Sequence, residues 1–271
     1  MQRDKILAVV LNRKVKKAPL TNKMKKVAEI TLIFWVMKIC ATTLGETAGD
    51  LLSMTMNVGY GVSSLLLLSF FVVTLILQLK ADRYRPVLYW LVIVSTSTAG
   101  TTISDYMDRT LGFGYATGSL ILVSLLITML SVWWFSERSL SVTDIKTFRP
   151  EMFYWMTILI SNTLGTALGD YLADSSGLGF AGGALLIGSL ILITVAGYFF
   201  TSISRVVLFW VAFVLTRPFG ATFGDLLTKP TEKGGFDLGT VGSSIVLAAI
   251  LVGFLIYAVI IQKRRVQLAK S

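Results

Sequence analysis

The sequence contains no histidine, one cysteine and five prolines, and only 15 % of its 271 residues are charged. Without histidine it lacks the commonest ligand for zinc, nickel and copper and the commonest acid–base side chain. A lone Cys40 supports neither a disulfide framework nor a thiolate metal cluster. No Walker-type phosphate loop is present, so ATP is not expected as a direct driver. What remains is apolar. Hydrophobic residues make up 54 % of the chain, and the mean hydropathy is +0.74. Such a composition points to a polytopic membrane protein rather than a soluble domain. The net charge of +10 would suit nucleic acid, but the positive residues sit between the apolar runs, so no nucleic-acid partner is expected.

Apolar segments of about 20 residues, long enough to cross a bilayer, fall near 27–50, 59–79, 86–107, 112–135, 151–172, 178–200, 206–227 and 238–261. The expected fold is therefore all-α, with eight transmembrane helices. Residues 1–26 carry nine Lys/Arg and no clear cleavage site. They read as a basic cytoplasmic arm, either lying on anionic lipid or solvated, rather than a signal peptide. Half 1 of the membrane unit covers 27–135, a cytoplasmic linker 136–149, half 2 covers 150–262, and a basic tail 263–271. Lys80, Arg83, Arg85, Arg138, Lys146, Arg149 and Arg205 join the arm and tail on one side, whereas the opposite loops hold Arg109, Lys229 and Lys233. The positive-inside rule then predicts both termini in the cytoplasm. The expected location is the bacterial inner membrane.

Four aspartates recur inside these segments: ETAGD ending at Asp50, TTISD at Asp105, TALGD at Asp170 and ATFGD at Asp225, spaced 55, 65 and 55 residues apart. Around each the same pattern repeats. An aromatic–Trp pair precedes it by sixteen and fifteen residues (Phe34-Trp35, Tyr89-Trp90, Tyr154-Trp155, Phe209-Trp210). Glycine precedes it by five (Gly45, Gly100, Gly165, Gly220), and a small residue by one (Gly49, Ser104, Gly169, Gly224). Glycine follows nine later (Gly59, Gly114, Gly179). In the fourth unit Gly239 comes fourteen later, because Thr228–Gly235 lengthens that loop. The chain thus reads as four parallel two-helix repeats, with pseudo-symmetry about an axis along the membrane normal. Fifteen helical residues rise ~22 Å. With Trp at one face of a ~30 Å core, the aspartates lie in its outer third. Over residues 27–261 this pattern resembles a bacterial membrane-protein family built from a repeat of unknown function. The resemblance implies a multi-repeat membrane fold and no particular activity.

Acidic residues at membrane depth are costly and mark ion or proton paths. The glycine and small residue four apart form a flat strip for helix packing. An aspartate near a helix C-terminus, by contrast, is disfavoured by the macrodipole. The candidate ion-binding set is Asp50, Asp105, Asp170, Asp225 and Glu46. Threonines four and seven residues upstream supply oxygens: Thr101 and Thr166, then Thr43, Thr98 and Thr163. The alternative is that these hydroxyls bond their own helices. Gly45, Gly49, Gly100, Gly165, Gly169, Gly220, Gly224 and Pro218 are expected to pack or hinge, with Pro218 breaking the seventh span. Lys38 and Arg217 are candidate counter-charges, paired with carboxylates of neighbouring helices or occupying the site in place of substrate. Snorkelling is the other reading for Lys38. Oxygen ligands of this kind suit hard cations such as Mg²⁺, Ca²⁺, Mn²⁺, Na⁺ or H⁺. Glu46–Asp50 is loosely similar to the acidic Gly-Asp motifs of manganese and calcium transporters. The leading expectation is a non-enzymatic secondary transporter of a divalent metal ion, manganese-like and working by proton-coupled efflux, with no cofactor beyond the transported cation. The alternatives are an exporter of small organic cations, and then a membrane-embedded lipid enzyme or a structural membrane protein. Membrane lipid and the cation are the expected partners; a homo-oligomer is left open.

Overall fold

The computed structural model describes residues 25–268 apart from residue 144. Eight long helices follow the eight apolar segments: α1 (Leu32–Asp50), α2 (Tyr60–Lys80), α3 (Pro86–Asp105), α4 (Tyr115–Glu137), α5 (Phe148–Asp170), α6 (Gly179–Phe200), α7 (Arg205–Thr228) and α8 (Thr240–Leu268). No strand occurs among the described residues. Among the described residues, six helices are long and apolar enough to cross a membrane: α2, α3, α4, α6, α7 and α8. The exceptions, α1 and α5, are diluted by residues such as Lys38, Glu46, Asn162 and Asp170, and those side chains are buried by protein.

Local chemistry sets the helix ends. The Thr31 hydroxyl accepts a hydrogen bond from Phe34 N at 3.2 Å and caps α1, so the helix starts five residues later than the apolar run. Pro86 opens α3, where its missing N–H costs nothing. After α1, α3 and α5 the chain widens into a five-residue π-turn at Leu51–Thr55, Tyr106–Thr110 and Tyr171–Ser175. Gly59, Gly114 and Gly179, nine residues past the first three aspartates, and Gly239 in the fourth unit all have positive φ, between 66° and 81°. Residues with a Cβ avoid that conformation, which explains why glycine recurs there.

The first helices of the repeats, α1, α3, α5 and α7, pack side by side into a closed ring, each against two neighbours. The second helices stand outside it. Each leans on the inner helix of the following repeat: α2 on α3, α4 on α5, α6 on α7, and α8 back on α1. The two halves of the sequence are therefore interlocked. The outer helices turn their apolar faces outward, with Leu65, Leu120, Leu185 and Ile245 all exposed.

The recurring glycines allow the ring to close. A Cβ on Gly45 would lie 2.9 Å from the Ser97 carbonyl carbon. One on Gly100 would lie 2.9 Å from Thr163 N, one on Gly165 2.9 Å from Pro218 N, and one on Gly220 2.8 Å from Thr42 Cβ. The glycine five before each aspartate thus meets the position eight before the next aspartate, at all four interfaces. Gly49, Gly169 and Gly224 likewise face Thr101, Ala221 and Glu46. The same register holds at the far end. Phe34 packs on Trp90, Tyr89 on Trp155, Tyr154 on Trp210 and Phe209 on Trp35, with centroids 5.3–6.4 Å apart. Matching register at both ends makes the four inner helices parallel.

Pro218 does not break its helix: α7 runs unbroken from Arg205 to Thr228. Gly165 and Gly169 on α5 leave room for the proline and its carbonyl, so packing with the neighbouring helix carries the defect.

Of the expected arm, Lys25 and Lys26 are described, and the rest lies outside the described residues. Lys26 is not solvated but paired with buried Glu151 at 2.7 Å. The expected tail continues α8 to Leu268, and 269–271 lie outside the described residues.

Candidate functional site

Because the inner helices are parallel and in register, equivalent positions stack as layers along the ring. Successive layers four residues apart are separated by ~6 Å. Twelve before the aspartates sit Lys38, Ile93, Ile158 and Phe213, all fully buried. Eight before sit Thr42, Ser97, Asn162 and Arg217. Four before sit Glu46, Thr101, Thr166 and Ala221. The aspartates form the last layer, 1–4 % exposed.

Arg217 is the hub of this column. It is fully buried and touches all three other inner helices. Its Nη1 donates to Glu46 Oε2 at 3.0 Å on α1. Its Nη2 donates to Thr101 Oγ1 and, more weakly, to Ser97 O on α3, and to Thr166 Oγ1 at 2.6 Å on α5. A planar fork suits this junction better than a point charge would. Ala221, at the position occupied elsewhere by Glu or Thr, leaves the rim of α7 free of a competing side chain. Lys38 does not snorkel. It lies 4.1 Å from the Phe213 ring centre and contacts Asn162 Oδ1 at 3.4 Å, while Asn162 Nδ2 donates to Thr96 at 2.9 Å.

At the opposite end two cations hold the aspartates in pairs. Lys229 Nζ lies 2.6 Å from Asp50 Oδ2 and 3.1 Å from Asp225 Oδ1. Arg109 lies 3.0 Å from Asp105 and 3.1 Å from Asp170. Both cations are partly open to the outside, at 19 % and 30 % side-chain exposure, whereas the aspartates beneath them are closed off. The two ends of the aspartate layer differ. Arg109 is further held by the Tyr60 hydroxyl at 3.3 Å and by the rings of Tyr60 and Tyr115. Lys229 instead sits on the lengthened loop, which a short 3-10 turn at Thr231–Lys233 folds back. Burial works against the charge of Lys229, but Asp225 and Asp50 outweigh it and hold the ammonium well above the ordinary lysine range. Next to this pair, Glu46, Asp50 and Asp225 each offer an oxygen, all within 4.8 Å of one another and all buried.

The sequence-predicted oxygen ligands thus separate into four groups. Asp50, Asp225 and Glu46 converge. Asp105 and Asp170 form a second pair under Arg109. Thr101 and Thr166 reach Glu46 at 3.4 Å. Thr43, Thr98 and Thr163 do not join any carboxylate. Their hydroxyls donate to their own helices, at Ile39 O, Val94 O and Leu159 O. Seven residues is ~10 Å along a helix, too far to share one small ion with the aspartate. Arg217 pairs with a carboxylate of a neighbouring helix, and Lys38 with an amide and a ring. Sequence reading assigned Arg109 and Lys229 only to loops. Their position four residues after Asp105 and Asp225, the spacing of a helical ion pair, was the available signal. The layer of Thr42, Ser97, Asn162 and Arg217 was less legible, because its four members are all polar but differ in side chain and charge.

The family described as Repeat of Unknown Function (DUF347) matches the chain four times, over residues 33–84, 88–139, 153–204 and 208–264. The matches span most of the chain, one per two-helix unit, and the chain belongs to that family. No curated protein and no solved structure matches it.

Proposed function

We propose that this member of the repeat family is a secondary transporter for a cation, most simply a hard divalent ion such as manganese. It would sit in the cytoplasmic membrane of a bacterium. Eight spans, both termini in the cytoplasm and fourfold pseudo-symmetry about the membrane normal complete this reading. The excess of Lys/Arg on one side of the chain supports the orientation, and the repeated register of the inner helices supports the symmetry.

The observation that carries the proposal is the convergence of Glu46, Asp50 and Asp225 oxygens within 4.8 Å in a buried layer. Charge points the same way. Five carboxylates (Glu46 and the four aspartates) are touched by three cations (Arg109, Arg217 and Lys229), which leaves a formal charge of −2. Uncompensated charge in a low-dielectric interior is costly, so protons or a divalent substrate would supply the balance. The carboxylate oxygens suit Mn²⁺, Mg²⁺ or Ca²⁺. In this reading Lys229 stands in for the substrate in the resting state. It releases Asp50 and Asp225 when the cation arrives, and protons return in exchange. The organic-cation alternative is weakened because the repeat's aromatic pairs are committed to one another around the ring.

The test is ion flux in proteoliposomes with Mn²⁺, Mg²⁺, Ca²⁺, Na⁺ and a proton-sensitive dye, comparing the parent with Asp50→Asn. The expected result is flux of one divalent cation that drops at least tenfold in the variant. Flux unchanged by Asp50→Asn, or absent for every ion in folded protein, would refute the reading.

A further inference from the structure

The end of the ring away from the aspartates is crossed by chain that is not helical. Lys25–Val27 is non-helical chain ahead of α1. Leu140, Val142 and Ile145 belong to the linker between α4 and α5. Lys26 N donates to Ile145 O at 3.1 Å, which ties the two segments together, and Tyr84 N donates to Lys25 O at 2.8 Å. Val27, Val142 and Ile145 are buried in the same cluster as the interlocked Phe34, Tyr89, Trp90, Tyr154, Trp155, Phe209 and Trp210. Trp210 Nε1 donates to Leu140 O at 3.0 Å, joining the aromatic layer to the linker.

The fastening is a buried polar knot. Lys26 Nζ lies 2.7 Å from Glu151 Oε2 and donates to Leu79 O at 2.9 Å. Gln78 Nε2 donates to Glu151 Oε1 at 3.0 Å and to Lys26 O at 3.1 Å. Glu151 and Gln78 are fully buried, and Lys26 is 8 % exposed. A cover needed only for packing would be served by apolar residues, since a buried ion pair gives little net stability over them. Here three parts of the chain that are remote in sequence meet at one ion pair: the pre-α1 segment, the end of α2 and the first turn of α5. The linker just before α5 joins them through the Lys26 backbone. The covering segments are held by side chains and a few isolated backbone bonds rather than by helix hydrogen bonds, so they can open locally while the helices persist.

We propose that Lys25–Val27, together with Leu140, Val142 and Ile145 of the linker, forms a strap that gates the ring at the end opposite the aspartates, with the Lys26–Glu151 pair as its latch. When the latch opens, the aromatic layer is uncovered and loses its tie to the linker through Trp210. The ring interior down to the Lys38 layer then becomes reachable from that end. This inference does not depend on which ion, if any, the protein moves.

The test places one reporter thiol under the strap, Ile93→Cys, and another at the opposite end, Ser53→Cys. Both parent residues are buried. Labelling by a charged thiol reagent is followed on the full chain in micelles, with the reporter-free chain correcting for buried Cys40. Each reporter is combined with Lys26→Ala and, separately, with the milder Glu151→Gln. The expected result is a rise of at least tenfold in labelling at position 93 with either latch variant, and less than a twofold change at position 53. No rise at 93, or equal rises at both positions, would overturn the gate, the second because it signals loosening of the whole bundle.

Discussion

Replacing one ring glycine by alanine should destabilise this protein, whereas the same replacement on an outer helix should not. At Gly220 an added Cβ would lie 2.6 Å from Thr42 Oγ1, 2.8 Å from Thr42 Cβ and 2.9 Å from the Thr42 carbonyl carbon. Against the ~3.5 Å of a favourable carbon contact, the shortfall is ~0.7 Å. A rotamer change at Thr42 cannot remove it, because a backbone atom is among the obstacles. The Thr42 hydroxyl also donates to Thr216 O across this interface at 3.1 Å, and separating the helices would break that bond. Overpacking costs ~1–3 kcal/mol, and the lost hydrogen bond adds about 1 kcal/mol. Better helix propensity returns ~0.5–1 kcal/mol. The net expectation for Gly220→Ala is a loss of ~1–3 kcal/mol. At Gly253 on exposed α8 nothing lies within 4 Å of an added Cβ, so Gly253→Ala should be neutral or stabilising by up to ~1 kcal/mol. The assay is reversible denaturant unfolding in mixed micelles, followed by far-UV circular dichroism. Equal stabilities for the two variants, to within ~0.5 kcal/mol, would refute the argument that close glycine contacts hold the ring shut.

The hub can be examined by a double-mutant cycle. Arg217→Met should cost ~3–5 kcal/mol by leaving Glu46 buried without its partner, and adding Glu46→Gln should recover much of that loss; simple additivity would deny the coupling. At the aspartate layer, Lys229→Gln should strengthen Mn²⁺ binding in isothermal titration, by tenfold or more, by vacating Asp50 and Asp225. Weaker binding would show that the lysine helps the site rather than competing for it. The pH dependence of Lys229 follows from its raised folded pKa. The stabilising effect of such a group is full below the unfolded value near ~10.4 and is lost only above the folded one. The stability difference between the parent and Lys229→Gln should therefore stay constant from pH 7 to pH 10, and a steep decline below pH 10 would contradict the assigned ion pairs.

Much of this architecture is legible in the chain itself. Hydropathy located all eight helices, because burial and lipid contact both demand apolar residues over the same lengths. The repeat located the aspartates, the ring glycines and the positive-φ glycines, because each meets a backbone or packing requirement that recurs in every unit. Even Arg109 and Lys229 had a local signature, four residues past an aspartate. The partnerships were a different matter. That α2 packs on α3 rather than α1, that Arg217 pairs with Glu46 on the neighbouring helix, and that Lys26 closes on Glu151 are contacts between residues far apart in sequence. The −8 layer shows the reason most sharply. Thr42, Ser97, Asn162 and Arg217 look unrelated along the chain, yet the ring stacks them at one level, and the central charge network grows from that level. Helix length, turn type and apolar face are set by neighbours within a few residues. Which buried charge finds which partner is decided only when four helices close around a common axis.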